Sequence, residues 1–255
     1  MKLFETLKTE KKGNIVTVFL NRPNASNAIN MQMVNDLSEV IDLVEDANDI
    51  SVLVLRGLNG LFSSGIDLRD FSLEKPPDIY GLQKWEQMCR QIENLNKFTI
   101  AAIEGECIGG GFQMVLLCDA RIADKRSFFQ FHEVKLGFLP GMAAFRLAKY
   151  IGLGRAKNLI LTGCKLKADK AQEWGILDQI CDTVDFEKTL QDTIDRLLPF
   201  HPVALEMSRR LINESFGDSY ENFFGHFLVA QERCIKSEAF HNLIVKASKS
   251  CVLDE

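Results

Sequence analysis

Histidine is scarce in this chain: His132, His201, His226 and His241 are the only four, and they form no metal-spaced cluster. Nor do the cysteines supply a metal site. The seven of them, Cys89, Cys107, Cys118, Cys164, Cys181, Cys234 and Cys251, include no CxxC pair and lie mostly in apolar or helical stretches. Thiols so placed are expected to be reduced and packed, in a reducing and hence cytoplasmic setting. No apolar run is long enough to span a bilayer, and no signal peptide is expected. Met1 to Lys12 is charged and amphipathic, without an apolar stretch behind it. Positive charge is not in excess either. The 30 Lys and Arg against 35 Asp and Glu leave a formal charge of -5, which gives no electrostatic footprint for nucleic acid or an anionic membrane. A spaced GxGxxG, internal repeats and low-complexity tracts are also missing, so neither a dinucleotide-binding turn nor a repeat array is expected.

What is present suits a folded soluble protein. Hydrophobic residues make up 46% and charged residues 25% of a 255-residue chain that is long enough to bury a sizeable core. Asn14–Leu20 reads as a strand, ended by Arg22-Pro23-Asn24. Met31 to Val44 has helical spacing through Met33, Val34, Leu37, Val40, Ile41 and Val44. Ser51–Leu55 and Thr99–Ile103 are short apolar runs of the buried-strand kind. Leu82–Leu95 is helical through Trp85, Met88, Ile92 and Leu95, and Gly109-Gly110-Gly111 opens an apolar helix through Cys118. Phe128–Phe131 reads as a strand, and Ala143–Tyr150, Ala156–Leu161 and Ala168–Trp174 as short helices. Strands alternating with helices predict an α/β fold.

Residues 201–255 differ from this core of residues 1–200. Pro202 opens a helix through Leu211, and Asp218-Ser219 caps a second one. Its stripe of Tyr220, Phe223, Phe224, Phe227 and Leu228 needs cover, from its own core or from a neighbouring subunit. The only linker-like stretch is Leu73–Asp78, with Pro76-Pro77.

Three segments carry chemistry. Phe62-Ser-Ser-Gly-Ile-Asp67 and Gly105-Glu-Cys-Ile-Gly-Gly-Gly-Phe-Gln113 each follow a buried-strand candidate. Glycine lets the backbone bend sharply and expose its N–H groups, and a helix N-terminus leaves such groups free. Two of them converging on one carbonyl oxygen make an oxyanion hole, which suits a thioester whose enolate oxygen gains charge. Gly-Gly-Gly by itself is more often a tight turn or close packing. The third segment runs from Phe128 to Gly141 and places Glu133 among apolar residues. Desolvation there raises a carboxylate pKa toward the range of a general acid/base. A surface carboxylate or a salt-bridge partner is the alternative. His132, adjacent on a strand, is expected to face the other way.

These segments, in this order, resemble the crotonase (enoyl-CoA hydratase/isomerase) superfamily. Leu20-Asn-Arg-Pro-Asn-Ala-Ser-Asn-Ala28 is similar to the family's LNRPxxxNAL segment, and Ala168 to Ile176 to its AxxAxxxGLV segment. The resemblance implies an α/β spiral of ββα repeats with a helical C-terminal oligomerisation region, assembled as trimers or hexamers. It implies an acyl-CoA or acyl-carrier-protein thioester as substrate, with no cofactor beyond the CoA that belongs to it. The oxyanion amides would be those of Ile66 and Gly110, and Glu133 the catalytic carboxylate. Arg22, Asn24, Ala25, Ser64, Gly65, Asp67, Leu68, Arg69, Gly109 and Pro140 would line the thioester and CoA side.

Two departures from the family pattern bear on the reaction. Family hydratases carry a second glutamate where this chain has Gln113, and an amide cannot take a proton from water. The expectation is therefore double-bond isomerisation by one carboxylate. Hydration or lyase chemistry, including polyketide decarboxylation, and a non-catalytic thioester-binding role are the alternatives. Dienoyl-CoA isomerase activity is not expected, since its extra aspartates correspond to Gln113 and Gly141. The family's C-terminal Phe and Lys for CoA correspond to Ala247–Ser250.

Overall fold

The computed structural model describes residues 2–70, 78–197 and 201–251, the last five of these by their backbone only. Apart from Asp78, the linker-like stretch Leu73–Asp78 lies outside the described residues, as do the side chains of Ala247–Ser250. The chain divides into two units, residues 1–195 and 196–255.

In the first unit, β1 (Leu7–Lys12) and β2 (Ile15–Leu20) form an antiparallel hairpin across Gly13-Asn14. The charged lead of the sequence is thus a strand. Its pattern is hidden because β1 is an edge strand with Leu7 as its one fully buried residue, and edge lysines oppose further pairing. α1 (Met31–Asp46) is N-capped by Asn30, whose side chain accepts from the Met33 amide at 2.9 Å. β3 (Val52–Gly57) is buried almost throughout. α2 (Ile79–Asn94) is capped by Asp78, which accepts from the Gly81 amide at 2.6 Å.

β4 (Phe98–Ile103), β5 (Glu106–Ile108), α3 (Gly110–Leu117), β6 (Ala120–Asp124) and β7 (Phe128–Gln130) follow. α4 (Ala143–Thr162) is one element where two helices were expected, and the gap between them is a kink at Gly152 with φ 73 and ψ 164. β8 (Leu166–Lys167), α5 (Ala168–Glu173), β9 (Gln179–Cys181) and α6 (Phe186–Leu197) complete the order.

The six-stranded sheet runs β1-β2-β3-β4-β6-β9, parallel except at β1. A second sheet, β5-β7-β8, is extended by the isolated bridges Ile29↔Ile66 and Ser63↔Cys107. The chain therefore repeats one circuit: a strand in the large sheet, a short pairing in the small one, then a helix. β2, Ile29 and α1 make the first turn. β3, the Ser63–Ile66 segment and α2 make the second, and β4, β5 and α3 the third. This is the ββα spiral that the family resemblance implied. The core is filled by fully buried side chains that include Phe62, Phe112, Phe129 and Phe131. Burying one such side chain contributes about 2 kcal/mol relative to leaving it exposed.

The second unit holds α7 (Pro202–Glu214), α8 (Tyr220–Ile235) and α9 (Glu238–Cys251). His201 is the N-cap of α7, and Ser219 caps α8 by accepting from the Asn222 amide. Tyr220, Phe224, Phe227 and Leu228 are exposed on the single chain. Among the described residues, no helix is long and apolar enough to cross a membrane.

Candidate active site

The two glycine turns lie side by side because their strands pair. Ser63 donates its amide to Glu106 O at 3.0 Å, and Ile108 donates to Ser63 O at 2.9 Å. Gly65 and Gly109 then pass in van der Waals contact: a Cβ on Gly65 would stand 3.1 Å from Ile108 O and 3.6 Å from Gly109 Cα. Both have positive φ, 90 and 53 degrees, in a region that side-chain-bearing residues avoid.

Each of these glycines is followed by a residue whose N–H is left over. At Ile66 the ladder bonds belong to its neighbours: Gly65 O accepts from Ile29 at 2.7 Å and Asp67 donates to Ile29 O at 2.9 Å. In a parallel bridge this turns the Ile66 amide to the opposite side. Gly110 is the first residue of α3, where an amide has no intrahelical acceptor and the helix dipole is positive. Ile66 and Gly110 border the same cavity of about 330 Å³. Ile29, Met31, Val34, Trp85, Phe138 and Pro140 give it a mainly apolar wall, and its polar lining includes Gln113, Glu133, Asp70, Asp78 and Lys84.

Glu133 opens a 3-10 turn, Glu133–Leu136, that Gly137 closes in the left-handed region. Phe138 donates its amide to Glu133 O at 2.9 Å and fixes the turn against the cavity wall. The strand before it ends at Gln130, so the alternating-face argument for His132 does not apply, although His132 does not border the cavity. Glu133 is buried, and its Oε2 is shielded from solvent without a hydrogen-bond partner. The apolar cavity wall it shares with Ile29, Trp85 and Phe138 makes its surroundings apolar. Burial pushes its pKa above the ordinary 4.5, and the backbone at Glu133 and the His132 side chain oppose that shift only in part. Its Oε1 lies against Gly109, where an added Cβ would come within 2.4 Å.

Gln113 is buried on α3 with its polar atoms engaged. Nε2 donates to Glu86 Oε1 at 2.5 Å and to Cys89 Sγ at 3.4 Å, and Oε1 accepts from the Ala143 amide at 3.2 Å.

The remaining expected residues sit on the loops beneath the turns. Asn24 and Ala25 belong to a 3-10 turn, Pro23–Ala25, and Ser64 donates its amide to Ser26 O at 3.1 Å. Asn27, at φ 49 and fully buried, donates from its side chain to Leu61 O at 2.8 Å, which explains the asparagine of the Leu20–Ala28 segment. Arg22 NH1 and Arg69 Nε each bind Asp67 at 2.8 Å. Leu68, Arg69 and the rest of this group do not border the cavity.

The hydrogen bonds from Arg69, then Arg22, lower Asp67 from 3.8 to about 2, against the desolvation of its buried site. The stability this gives is complete above the unfolded value of 3.8 and is lost as pH falls to about 2. Arg69 is largely exposed, so solvent screens part of the gain. Asp67→Asn is expected to cost about 1–2 kcal/mol at pH 7, and urea melts should show the deficit shrinking between pH 4 and pH 2. An undiminished deficit at the lower pH would contradict the ion-pair account.

Ile66, Gly110, Gln113, Glu133 and Pro140 thus meet at the cavity, while Gly65 and Gly109 shape the turns beneath it. Sequence reasoning missed Ile29 and Phe138, and it read Trp85 as a helix-stripe residue. In the structure Trp85 Cζ2 lies 3.4 Å from the place of a Cβ on Gly110, so the ring covers the turn.

A model of the enoyl-CoA hydratase/isomerase family matches residues 10–237. An enoyl-CoA isomerase/hydratase of Mycosarcoma maydis is 34% identical over 205 residues, 76% of this chain and 75% of its own. A short-chain-enoyl-CoA hydratase of Clostridium acetobutylicum is 31% identical over 209 residues, 80% of this chain and 79% of its own. A solved enoyl-CoA hydratase/isomerase from Marinobacter aquaeolei superposes with a TM-score of 0.85 at 27% identity, covering 96% of this chain and 97% of that one. With the paired glycine turns and the buried glutamate already placed, the chain belongs to the enoyl-CoA hydratase/isomerase family and is an enzyme of the crotonase superfamily.

Proposed function

We propose that this enzyme acts on an acyl-CoA thioester and moves the double bond of a 3-enoyl group to the 2 position, with Glu133 as its one base. The observation that carries this reading is the Glu133 carboxylate. It is shielded, its Oε2 is unpartnered, and it borders the same apolar cavity as the Ile66 and Gly110 amides, while position 113 holds an engaged amide rather than a second carboxylate.

The thioester oxygen would accept from the Ile66 and Gly110 N–H groups. Glu133 would take a proton from C2, the dienolate oxygen would gain charge at the two amides, and the protonated Glu133 would return the proton at C4. One group whose pKa is raised by burial does both transfers. The exposed Arg69 and the loop of Asn24, Ala25 and Leu68 are proposed for the CoA side. The exposed stripe of α8 is proposed as a subunit interface. Hydration is the second reading, favoured by the names of the relatives.

The test is incubation with 3-hexenoyl-CoA in deuterated water, followed by mass spectrometry. Isomerisation gives 2-hexenoyl-CoA of unchanged formula apart from deuterium. A parallel incubation with 2-hexenoyl-CoA that gives the 3-hydroxy product, with 3-hexenoyl-CoA left unchanged, would favour hydration, and no turnover of 3-enoyl-CoA across chain lengths would remove the isomerase reading. The pH dependence is a further check. Because Glu133 must be ionised to begin, kcat/KM is expected to rise with pH through a value above the ordinary 4.5 and then level off. A profile already flat from pH 5 upward would contradict the role of its burial.

A further inference from the structure

Glu86 is not a cavity-lining residue, yet it decides how the cavity wall is presented. It projects from α2 and has three donors around it. Oε1 accepts from Gln113 Nε2 at 2.5 Å and from the Met142 amide at 3.3 Å, and Oε2 from Arg146 NH1 at 3.0 Å. Arg146 is buried and is itself gripped by Glu93, through Nε at 2.6 Å and NH2 at 3.1 Å. The carboxylate of Glu86 is therefore fixed from behind.

This arrangement determines the orientation of Gln113. A carboxylate faces only donors, so the NH2 end of the amide must turn to Glu86, and the oxygen to the Ala143 N–H. Both Nε2 hydrogens are then used, one on Glu86 and one on Cys89 Sγ, and the one side-chain acceptor already holds a hydrogen bond. Gln113 lines the cavity without offering an atom that can take a proton from water.

We propose that Glu86 is a specificity-determining positioning residue, which fixes the Gln113 amide in the cavity wall and opposes an ionised carboxylate at position 113, so that the reaction is confined to the Glu133 proton shuttle. The inference rests on the isomerase reading above. It also explains why restoring a carboxylate at position 113 alone will not restore hydration. In Gln113→Glu the new carboxylate would meet Glu86 at the present 2.5 Å contact, and two carboxylates that close share one proton. A glutamine at position 86 would remove the conflict, because its NH2 donates to the new carboxylate and reverses the present hydrogen bond, with loss of the longer one from the Met142 amide.

The experiment measures hydration of 2-hexenoyl-CoA to the 3-hydroxyacyl product by the full-length protein and by Gln113→Glu, Glu86→Gln and the double exchange. Hydration adds the hydroxyl of water to C3 and a proton to C2, so it needs an ionised base at position 113 and a proton from Glu133. Gln113→Glu alone is expected to hydrate within about tenfold of the parent at pH 7, and the double exchange about 100-fold faster than that single variant. The pH profile supplies a second readout that a merely structural role would not move. Hydration by Gln113→Glu should rise only well above the ordinary carboxylate range, and in the double exchange at a lower pH, since no second carboxylate then faces position 113.

If Gln113→Glu alone hydrates as fast as the double exchange, or titrates as an ordinary carboxylate, Glu86 has no such role. Should the double exchange fail to fold, the profile of the single variant still decides. Failure of the isomerase reading appears separately, in the parent protein with 3-hexenoyl-CoA, before any variant is compared.

Discussion

Replacing Glu133 with glutamine is expected to lower turnover of a 3-enoyl-CoA by about 10³-fold while making the fold more stable near neutral pH. The first effect is the loss of the one group that both removes and returns the proton. The second follows from the same burial. Glu133 has a raised pKa in the folded chain, so between its ordinary 4.5 and the raised value the folded state binds more protons than the unfolded state. Stability from this group therefore falls as pH rises through that window, because an ionised carboxylate must be kept in an apolar wall. Glutamine has the same shape and no charge to desolvate. Steady-state kinetics and urea melts at pH 5 and pH 8 check the pair of outcomes. Full activity in the variant would end the single-base mechanism, and a loss of stability at pH 8 would mean that the carboxylate has a stabilising partner.

Gly109→Ala is the second large effect expected. Gly109 has φ 53 and ψ -120, where only glycine is at ease, and the new methyl would come within 2.4 Å of Glu133 Oε1. The substitution would displace the base and tilt the adjoining Gly110 amide together. Loss of one oxyanion donor costs about 10²–10³ in rate, and moving the base adds to that. We expect a decrease of about 10⁴ or more, with a folding cost of about 1–3 kcal/mol from the backbone conformation.

Gly110→Ala is the informative control. Gly110 is a helical position without positive φ, and a Cβ added there would stand 3.1 Å from the flexible tip of Ile29 and 3.4 Å from the edge of Trp85. Alanine there should fold as well as the parent. Turnover by Gly109→Ala within tenfold of the parent would show that the two turns do not form the hole.

The site was legible where local chemistry is self-declaring. The glycine segments Phe62–Asp67 and Gly105–Gln113 and the carboxylate Glu133 inside an apolar run stood out as candidates before any pairing was known, and the resemblance to the family supplied their roles. Periodicity located α1, α2 and the strands β2, β3 and β4 to within a few residues, because each buries one consistent face or both. It failed at β1, whose exposed edge has no apolar alternation. It also failed at the middle of α4, where Gly152 interrupts the pattern but not the element.

What the sequence determined by itself is the inventory: alternating strands and helices, two glycine turns, one carboxylate in an apolar setting, and an amide at position 113. Those follow from properties of neighbouring residues. The tertiary structure decided the rest. It brought Ile66 beside Gly110 through the Ser63↔Cys107 bridge, tied Arg22 and Arg69 to Asp67, laid Trp85 over the Gly110 turn, and oriented Gln113 through Glu86, 27 positions away in the chain. The physical reason is that a hydrogen bond or a ring contact depends on partners that only the folded path places within a few ångströms, and spacing along the chain does not encode that path.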